Sequence, residues 1–535
     1  MLLKDKKSIF NYILYFVNSL LVAFTYILLQ RRITSTEIEG RLFTNLRFVF
    51  FLGIFVCSFL IFMICEIGEK HSKIEVKVKK IASHPMFTIT FAVTVFRQIV
   101  RWYFLNYTIY YDTKTYTNYN FNIFKGETDI FRTPGYPYFL KIIKKITRLF
   151  VKNTSTLDSV FYSVVAIIQS FLSIACVILI YLIARKIFKN KTVALVTAAF
   201  YGILPCVFNY DTCILTESIS FFCMVLFIYL VFLFIENPKI YKAVVLGLFA
   251  FVMIMIRPTF IYVLPILAVF FIARFVFESK DRKKCIAGFL SVVFSGLLLL
   301  GYCGLNYKNY DYFNISSVSV TVNRLKIVMD NHWQKNKDYE EISNYINSQM
   351  KVTDPNYWIP NIIEKLPGVY SYQEIDDYVN DCISKHKKEF SEYNFEKAKS
   401  ISNLPIAIQY SAYKTIYKDT AVSKRLDWFN STSFSITFIQ SMLLVLFSLV
   451  FAFFVLIRRK KICWQVVGLS AIIFSHIFVS VYGSMAEFAR LSSMAIPAIV
   501  LLVFYFVDLF VSRLKGRKID GKYYSKISFK KEVEQ

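Results

Sequence analysis

GETDIFRTPGYPYFLKII, residues 126–143, stands between two long apolar runs and combines two acids, an arginine, a Pro-Gly-Tyr-Pro corner and the start of an apolar-basic segment. Pro134 and Pro137 with Gly135 cannot continue a spanning helix, but they can turn the chain and begin a new one. The segment that follows, YFLKIIKKITRLF, has apolar residues at Phe139, Leu140, Ile142, Ile143, Ile146, Leu149 and Phe150, with Lys141, Lys144, Lys145 and Arg148 between them. A spanning helix needs roughly 20 apolar residues. This one is too short and too basic, and reads as a helix lying in the interface plane. Two roles stand open for it: a roof over a cavity that opens sideways to lipid, or an anchor from which the next span re-enters.

The composition around this stretch is that of a polytopic membrane protein. The 535 residues are 56% hydrophobic and 19% charged, with 55 Phe and 36 Tyr. The net charge of +27 falls in short blocks between apolar runs, with no continuous basic stripe, so nucleic acid is not an expected partner. Twelve apolar runs are long enough to span, at 8–30, 46–66, 86–106, 159–185, 192–209, 212–235, 241–256, 259–278, 285–305, 434–457, 463–482 and 491–511. The first follows Lys4, Lys6 and Lys7, is too long for a signal-peptide core and has no small-x-small cleavage site, so it reads as an uncleaved span. With both termini cytoplasmic, EKHSKIEVKVKK, RKIFKNK, ESKDRKK, RRKK and the tail RLKGRK all lie inside, the positive-inside pattern. Arg31, Arg32 and Arg41, which follow the first span, fall on the outer side and depart from this pattern.

This orientation places residues 107–158 and 306–433 outside. In the second segment, Ser371 and Glu374 form a capping-box pattern ahead of a periodic helix, and IAIQYSAYKTIYK also reads helical, so an α-rich domain is expected. Only Cys382 of the ten cysteines lies in it, which rules out a disulfide framework or CxxC metal spacing.

Charges within spans cost about 2.5–3.5 kcal/mol at the helix centre and are candidates for function. They converge at one level here. Arg97 and Arg101 share a face of the third span near its outer end; Glu217 sits just inside the outer end of the sixth. Arg257 closes the seventh, Glu487 and Arg490 open the last, and Asp112 follows the third by a few residues. Each has a structural alternative. Arg257 and Arg490 suit interfacial snorkelling, Arg97 and Arg101 suit pairing with a buried carboxylate such as Glu217, and Asp112 alone suits a solvated loop acid. As a group, cations and carboxylates at headgroup level fit an anionic amphiphile whose phosphate is held by arginine forks.

An Asp soon after an Arg-rich span, then RTPGYPYFL, LPCVFNYDTCILTE, IRPTFIYVLP and finally AEFARLSSMAIP, resembles in order and spacing the GT-C membrane glycosyltransferases. The likeness is greatest to the branch holding protein O-mannosyltransferases and the lipid A aminoarabinose transferase. It covers roughly residues 86–305, with an echo near 487–497. It implies an all-α polytopic membrane protein: a GT-C-like bundle of about 12 transmembrane helices, interfacial helices in the first large outer loop and a small α-rich extracytoplasmic domain. The expected division is two extra N-terminal spans and a basic loop (1–85), a seven-span catalytic module (86–305), the outer domain (306–433), three C-terminal spans (434–511) and a basic tail (512–535). The resemblance further implies a polyprenyl-phosphate-linked sugar as donor and transfer with inversion to an extracytoplasmic acceptor. By motif position Asp112 would be the general base, Arg132, Arg257 and Arg101 donor-phosphate ligands, and Glu217 an orienting carboxylate; Arg97 and Arg490 are further candidate phosphate ligands, and Tyr136 and Glu487 candidate orienting or structural residues. Many relatives have two adjacent acids where this chain has Asp112 followed by Thr113, which weakens a metal-dependent version. A divalent metal is not indicated by the five scattered histidines either.

Asp and Arg are the residue types the chemistry asks for: a base within about 2.6–3.2 Å of the acceptor hydroxyl proton and cations aimed at the charge developing on the leaving phosphate. The competing reading is a transporter or flippase for a lipid-linked or anionic substrate, which paired broken helices and midplane polar residues would favour. The abundance of Lys, Ile, Asn, Tyr and Phe is that of an AT-rich genome, which with the resemblance points to a bacterial plasma membrane.

Overall fold

The computed structural model describes residues 107–151, 154–355, 358–399, 438–460, 462–483 and 488–514, together with 16, 17, 19, 20, 89, 90, 92–94 and 97. Most of the first and third expected spans, all of the second, IAIQYSAYKTIYK, Arg101, Glu487 and the tail lie outside the described residues.

Among the described residues the protein is helical throughout, with a single isolated bridge between Thr108 and Cys213 in place of any strand. The helices that matter here are α1 (Tyr111–Thr117), α2 (Gly135–Phe150), α3 (Thr154–Ile187), α4 (Lys191–Ile203), α5 (Glu217–Glu236), α6 (Ile240–Ile256), α7 (Val263–Phe277) and α8 (Arg282–Tyr310). A polar unit follows with α9 (Leu325–Asp330), α10 (Glu340–Val352), α11 (Tyr372–Lys385) and α12 (Lys387–Lys399). Then come α13 (Phe438–Arg459), α14 (Trp464–Tyr482), the short α15 (Phe488–Ser492) and α16 (Ile496–Leu514).

Among the described residues seven helices are long and apolar enough to cross a membrane, and an eighth candidate is bent: α4 stops at Ile203 and a second piece runs on at 55°. Leu204 precedes Pro205 and takes an extended conformation, as a residue before proline prefers. The expected runs 192–209 and 212–235 are therefore corrected. A bent segment and a 3-10 turn, Asn209–Thr212, lie between α4 and α5, and α5 starts at Glu217. The twelve-span count itself is not reached among the described residues.

Helix α5 is the centre of the bundle. It is apolar all round and packs on α3, α6 and α16, while α6 packs on α8. The outward sides of α8 and α13 carry Leu290, Phe294, Leu297, Phe447, Phe453 and Phe454 exposed, as lipid-facing surfaces do. At one end of the bundle Lys186 pairs with Glu236, Trp464 Nε1 donates to Glu278, and Asp508 accepts the Lys189 and Asn190 N–H groups to cap α4. The opposite end bears α1, α2 and the polar unit.

That unit has its own hydrophobic core, built from residues such as Leu325, Val328, Ile346, Ile362, Ile375 and Tyr378. Its α11 starts with the capping box of Ser371 and Glu374, and the two hydrogen bonds hold the Glu374 carboxyl below its usual value. The loop before Arg132 is tied both to the end of α8 and to the segment that leads into the unit. Asn309 donates to Gly126 O, Tyr310 to Thr128 O, Tyr302 to Asp129 O, Ser317 N–H to Ile130 O and Ser316 to Phe131 O. The backbone oxygens leading up to Arg132 are thus satisfied from the end of α8 and the segment after it.

Candidate functional site

Helix α1 is positioned by the bend between α4 and α5. Thr108 N–H donates to Thr212 O at 2.9 Å and Ile214 N–H to Thr108 O at 3.1 Å. Thr113, fully buried, donates from its hydroxyl to Ile214 O at 3.0 Å and accepts the Tyr110 N–H at 2.9 Å. So the residue beside the lone acid fastens α1 to the 209–216 turn. Asp112, Thr115 and Tyr116 then share one face of α1, at i, i+3 and i+4.

Arg132 closes onto that face. Its Nε donates to Thr115 Oγ1 at 2.8 Å, Nη1 to the Tyr116 hydroxyl at 3.1 Å and Nη2 to Asp112 Oδ1 at 2.8 Å, and its guanidinium lies 4.5 Å from the Tyr116 ring centre. Burial works against the Arg132 charge, but Tyr116 and Asp112 more than offset it and hold the guanidinium above its ordinary value. Three residues before it, Asp129 is pushed up by burial, an effect only partly relieved by N–H groups of Phe131 and Arg132 and by the Arg132 charge.

Asp112 also faces a second arginine. Arg490 Nη2 lies 3.4 Å from Asp112 Oδ2, and its Nε donates to Glu217 Oε1 at 2.6 Å. The same Glu217 oxygen accepts from Arg257 Nη1 at 3.2 Å. Arg257 is delivered there because Pro258 follows it: the residue before proline leaves the helical region, so α6 ends at Ile256. The result is one network, Arg132–Asp112–Arg490–Glu217–Arg257, drawn from five separate segments. Its three guanidinium groups and two carboxylates leave one net positive charge (3 − 2 = +1). The network is graded in exposure: the Asp112 side chain is 33% exposed, Arg490 12%, Arg257 7% and Glu217 0%. Glu217 Oε2 is buried without a hydrogen-bond partner among the described residues, and Nε and Nη2 of Arg257 donate to no described protein atom.

Close approach makes this convergence possible. A Cβ on Gly135 would lie 2.6 Å from Met255 O, so only glycine lets the start of α2 sit against the end of α6 and bring Arg132 and Arg257 to one level. Tyr136, next in sequence, is fully buried. Its ring meets Tyr116 edge-on at 5.1 Å and its hydroxyl donates to Gln169, whose amide bonds Asp211 O and Cys213 O. Its ring backs the Tyr116 on which Arg132 rests.

Arg97 is a correction. It is not at this network but inside the bundle, 1% exposed, with Nε donating to Gly202 O at 2.6 Å, Nη1 to Ser173 at 2.8 Å, and Asp211 3.8 Å away. Its buried carboxylate partner is Asp211 rather than Glu217. Sequence reasoning missed Asp211, Thr113, Thr115, Tyr116 and Gln169. Only Asp211 carried a signal, as an acid in the same polar interruption, NYDTCILTE, that holds Glu217.

An apolar slot of about 500 Å³ lies between α5, α7 and α14, lined by none of the five network residues. Tyr262, five residues beyond Arg257, lines its upper part, and Phe270, Gly468 and Trp464 line the rest. Among the described residues no three His, Cys, Asp or Glu side chains form a metal-holding group, and each Asp112 oxygen already faces a guanidinium.

Residues 132–299 match the family model described as dolichyl-phosphate-mannose-protein mannosyltransferase, which bears out the resemblance to the GT-C glycosyltransferases. The matched stretch contains Arg132, Glu217 and Arg257; Asp112 and Arg490 lie beyond it. No curated protein matches the chain. Among solved structures it is similar to the archaeal oligosaccharyltransferase AglB from Archaeoglobus fulgidus, determined in complex with an inhibitory peptide and a dolichol-phosphate. The identity is 14%, over 84% of this chain and 54% of that one, with a TM-score of 0.42. The chain thus spans about half the length of that neighbour.

Proposed function

We propose that this protein is a multi-pass membrane glycosyltransferase. It moves a sugar from a polyprenyl-phosphate donor to a hydroxyl acceptor on the extracytoplasmic face, with inversion at the anomeric carbon. The observation that carries the reading is the network itself: one partly exposed carboxylate and three arginines, brought together from distant segments.

In this reading Asp112 takes the proton of the acceptor hydroxyl as its oxygen forms a bond to the anomeric carbon. The bond from that carbon to the phosphate oxygen breaks, and the electron pair leaves with the polyprenyl phosphate. Arg257, with two guanidinium nitrogens uncommitted to described protein atoms, is the first phosphate ligand; Arg490 is the second. Each nitrogen of Arg132 is already bonded to α1, so its main task is to orient Asp112. Glu217 keeps Arg257 and Arg490 side by side. The slot suits the donor's isoprenoid chain. The basic residues clustered at the other end of the bundle, among them Arg185, Lys186, Arg282, Arg458 and Arg513, support a cytoplasmic assignment for that end.

The test is transfer of radiolabelled sugar from a polyprenyl-phosphate donor by the purified full-length chain. Asp112→Asn should abolish it, lowering the rate by at least about 10²-fold with the melting temperature kept within a few degrees. Near-normal transfer by that variant, or substrate accumulation in sealed vesicles with no covalent product, overturns the proposal.

A further inference from the structure

Asp112 is held on both oxygens, and the two arginines that hold it arrive from segments far apart in the chain. One stretch touches the approach to each. Ser317 N–H donates to Ile130 O at 2.9 Å and Ser316 Oγ to Phe131 O at 2.9 Å, immediately before Arg132. Seven residues on, Asn323 Nδ2 donates to Gly483 O at 2.8 Å, where α14 ends, seven residues before Arg490 in the sequence. Between these anchors the backbone is a π-helix, Val318–Arg324. Such turns are rare and recur at functional sites. It is well tied within itself: Val320 N–H, Thr321 N–H and Thr321 Oγ1 all converge on Ser317 O. It is also rooted in the polar unit, since Val320 and Leu325 are buried in that unit's core.

We propose that residues 316–323 are a brace and that Asn323 is a positioning residue. By tying the Arg132 approach to the end of α14, the brace sets the separation of the two arginines and so keeps each on its own oxygen of Asp112. The polar unit then acts on the reaction centre through this strut as well as by any contact with acceptor. The kinetic part of the inference rests on the transferase reading; the mechanical part does not.

Asn323→Asp is the sharpest probe, because it keeps the shape of the side chain and removes the donor aimed at Gly483 O. Asn323→Gln restores a donor, and Ser316→Ala cuts the opposite anchor. In purified full-length protein, Asn323→Asp should lower kcat for transfer about tenfold, leave the acceptor KM within about twofold, and recover in part in Asn323→Gln. Ser316→Ala should shift kcat in the same direction. In hydrogen–deuterium exchange, Asn323→Asp should quicken exchange in peptides covering 128–134 and 488–492 together, with the rest of the bundle unchanged. Wild-type kcat and wild-type exchange in both Asn323→Asp and Ser316→Ala overturn the brace, as does loosening confined to one of the two peptides. A wild-type chain inactive in transfer would refute the transferase reading, and the exchange result would still decide the brace.

Discussion

At the residue scale the decisive group is Glu217, fully buried and shared by two arginines through a single oxygen. Glu217→Gln keeps the volume but strips Arg257 of its carboxylate and leaves Arg490 with Asp112 alone. Breaking a buried pair in this way typically costs about 3–5 kcal/mol, so the variant should melt well below the wild type in a thermal scan and lose transfer. Arg490→Lys keeps the charge but not the fork that reaches both Glu217 and Asp112. It should retain most of the stability while transfer falls about tenfold or more. Asp129 behaves in the opposite sense. Its carboxyl is raised in the folded protein, so ionisation at neutral pH opposes folding. The contribution is favourable only at low pH, below its unfolded value, and is lost as pH rises. Asp129→Asn retains an oxygen for the Phe131 N–H and should raise the melting temperature at pH 7, with the gain shrinking towards pH 4. The sequence could nominate Asp112, Arg132, Glu217, Arg257 and Arg490 because an ion within or beside a span is conspicuous. It could not separate them from Arg97, whose spacing on the third span looked equivalent. The difference lies in which carboxylate reaches it, and Asp211 is placed by a bend after Pro205 that apolar periodicity does not register.

At the element scale, the corner Arg132-Thr-Pro-Gly-Tyr-Pro was legible as a chain reversal followed by a helix. The amphipathic character of α2 was legible too: Tyr136, Leu140, Ile143 and Thr147 face inward, while Ile142, Ile146 and Leu149 remain exposed among Lys145 and Arg148. What the pattern could not reveal is why the corner needs glycine, since Met255 O is supplied by a helix more than a hundred residues later. Gly135→Ala should displace the start of α2 and lower stability by about 1–3 kcal/mol, as overpacking does. Because the shift separates Arg132 from Arg257, donor KM should rise as well, and steady-state kinetics on detergent-purified protein would read it. Thr113 has a related lesson. In the resemblance it figures only as a missing second acid, whereas here its hydroxyl fastens α1 to the 209–216 turn. A side-chain bond between distant segments leaves no trace in local sequence.

Over the whole molecule, apolar runs and basic blocks were enough to give the helical bundle and a separate polar unit, because length and hydropathy fix what can lie in a bilayer. The slot between α5, α7 and α14 was invisible, since its lining is spread over three helices and looks like ordinary core. Gly468 lines it and has open space about its Cα, so Gly468→Leu should place a side chain in the cavity without disturbing its neighbours. Affinity for a long polyprenyl donor should fall severalfold while a donor with only two isoprene units is unaffected, a contrast that competition between the two would measure. Finally, the surplus of one positive charge across the five linked side chains favours the spent carrier over the loaded one. A sugar-bearing phosphodiester carries a single negative charge, but the phosphomonoester left behind carries about −1.5 to −2 at pH 7. Turnover should therefore be limited by escape of the carrier. Rapid-quench experiments should show an initial burst of glycosylated acceptor followed by a slower steady phase, with free polyprenyl phosphate a stronger inhibitor as pH rises through about 6.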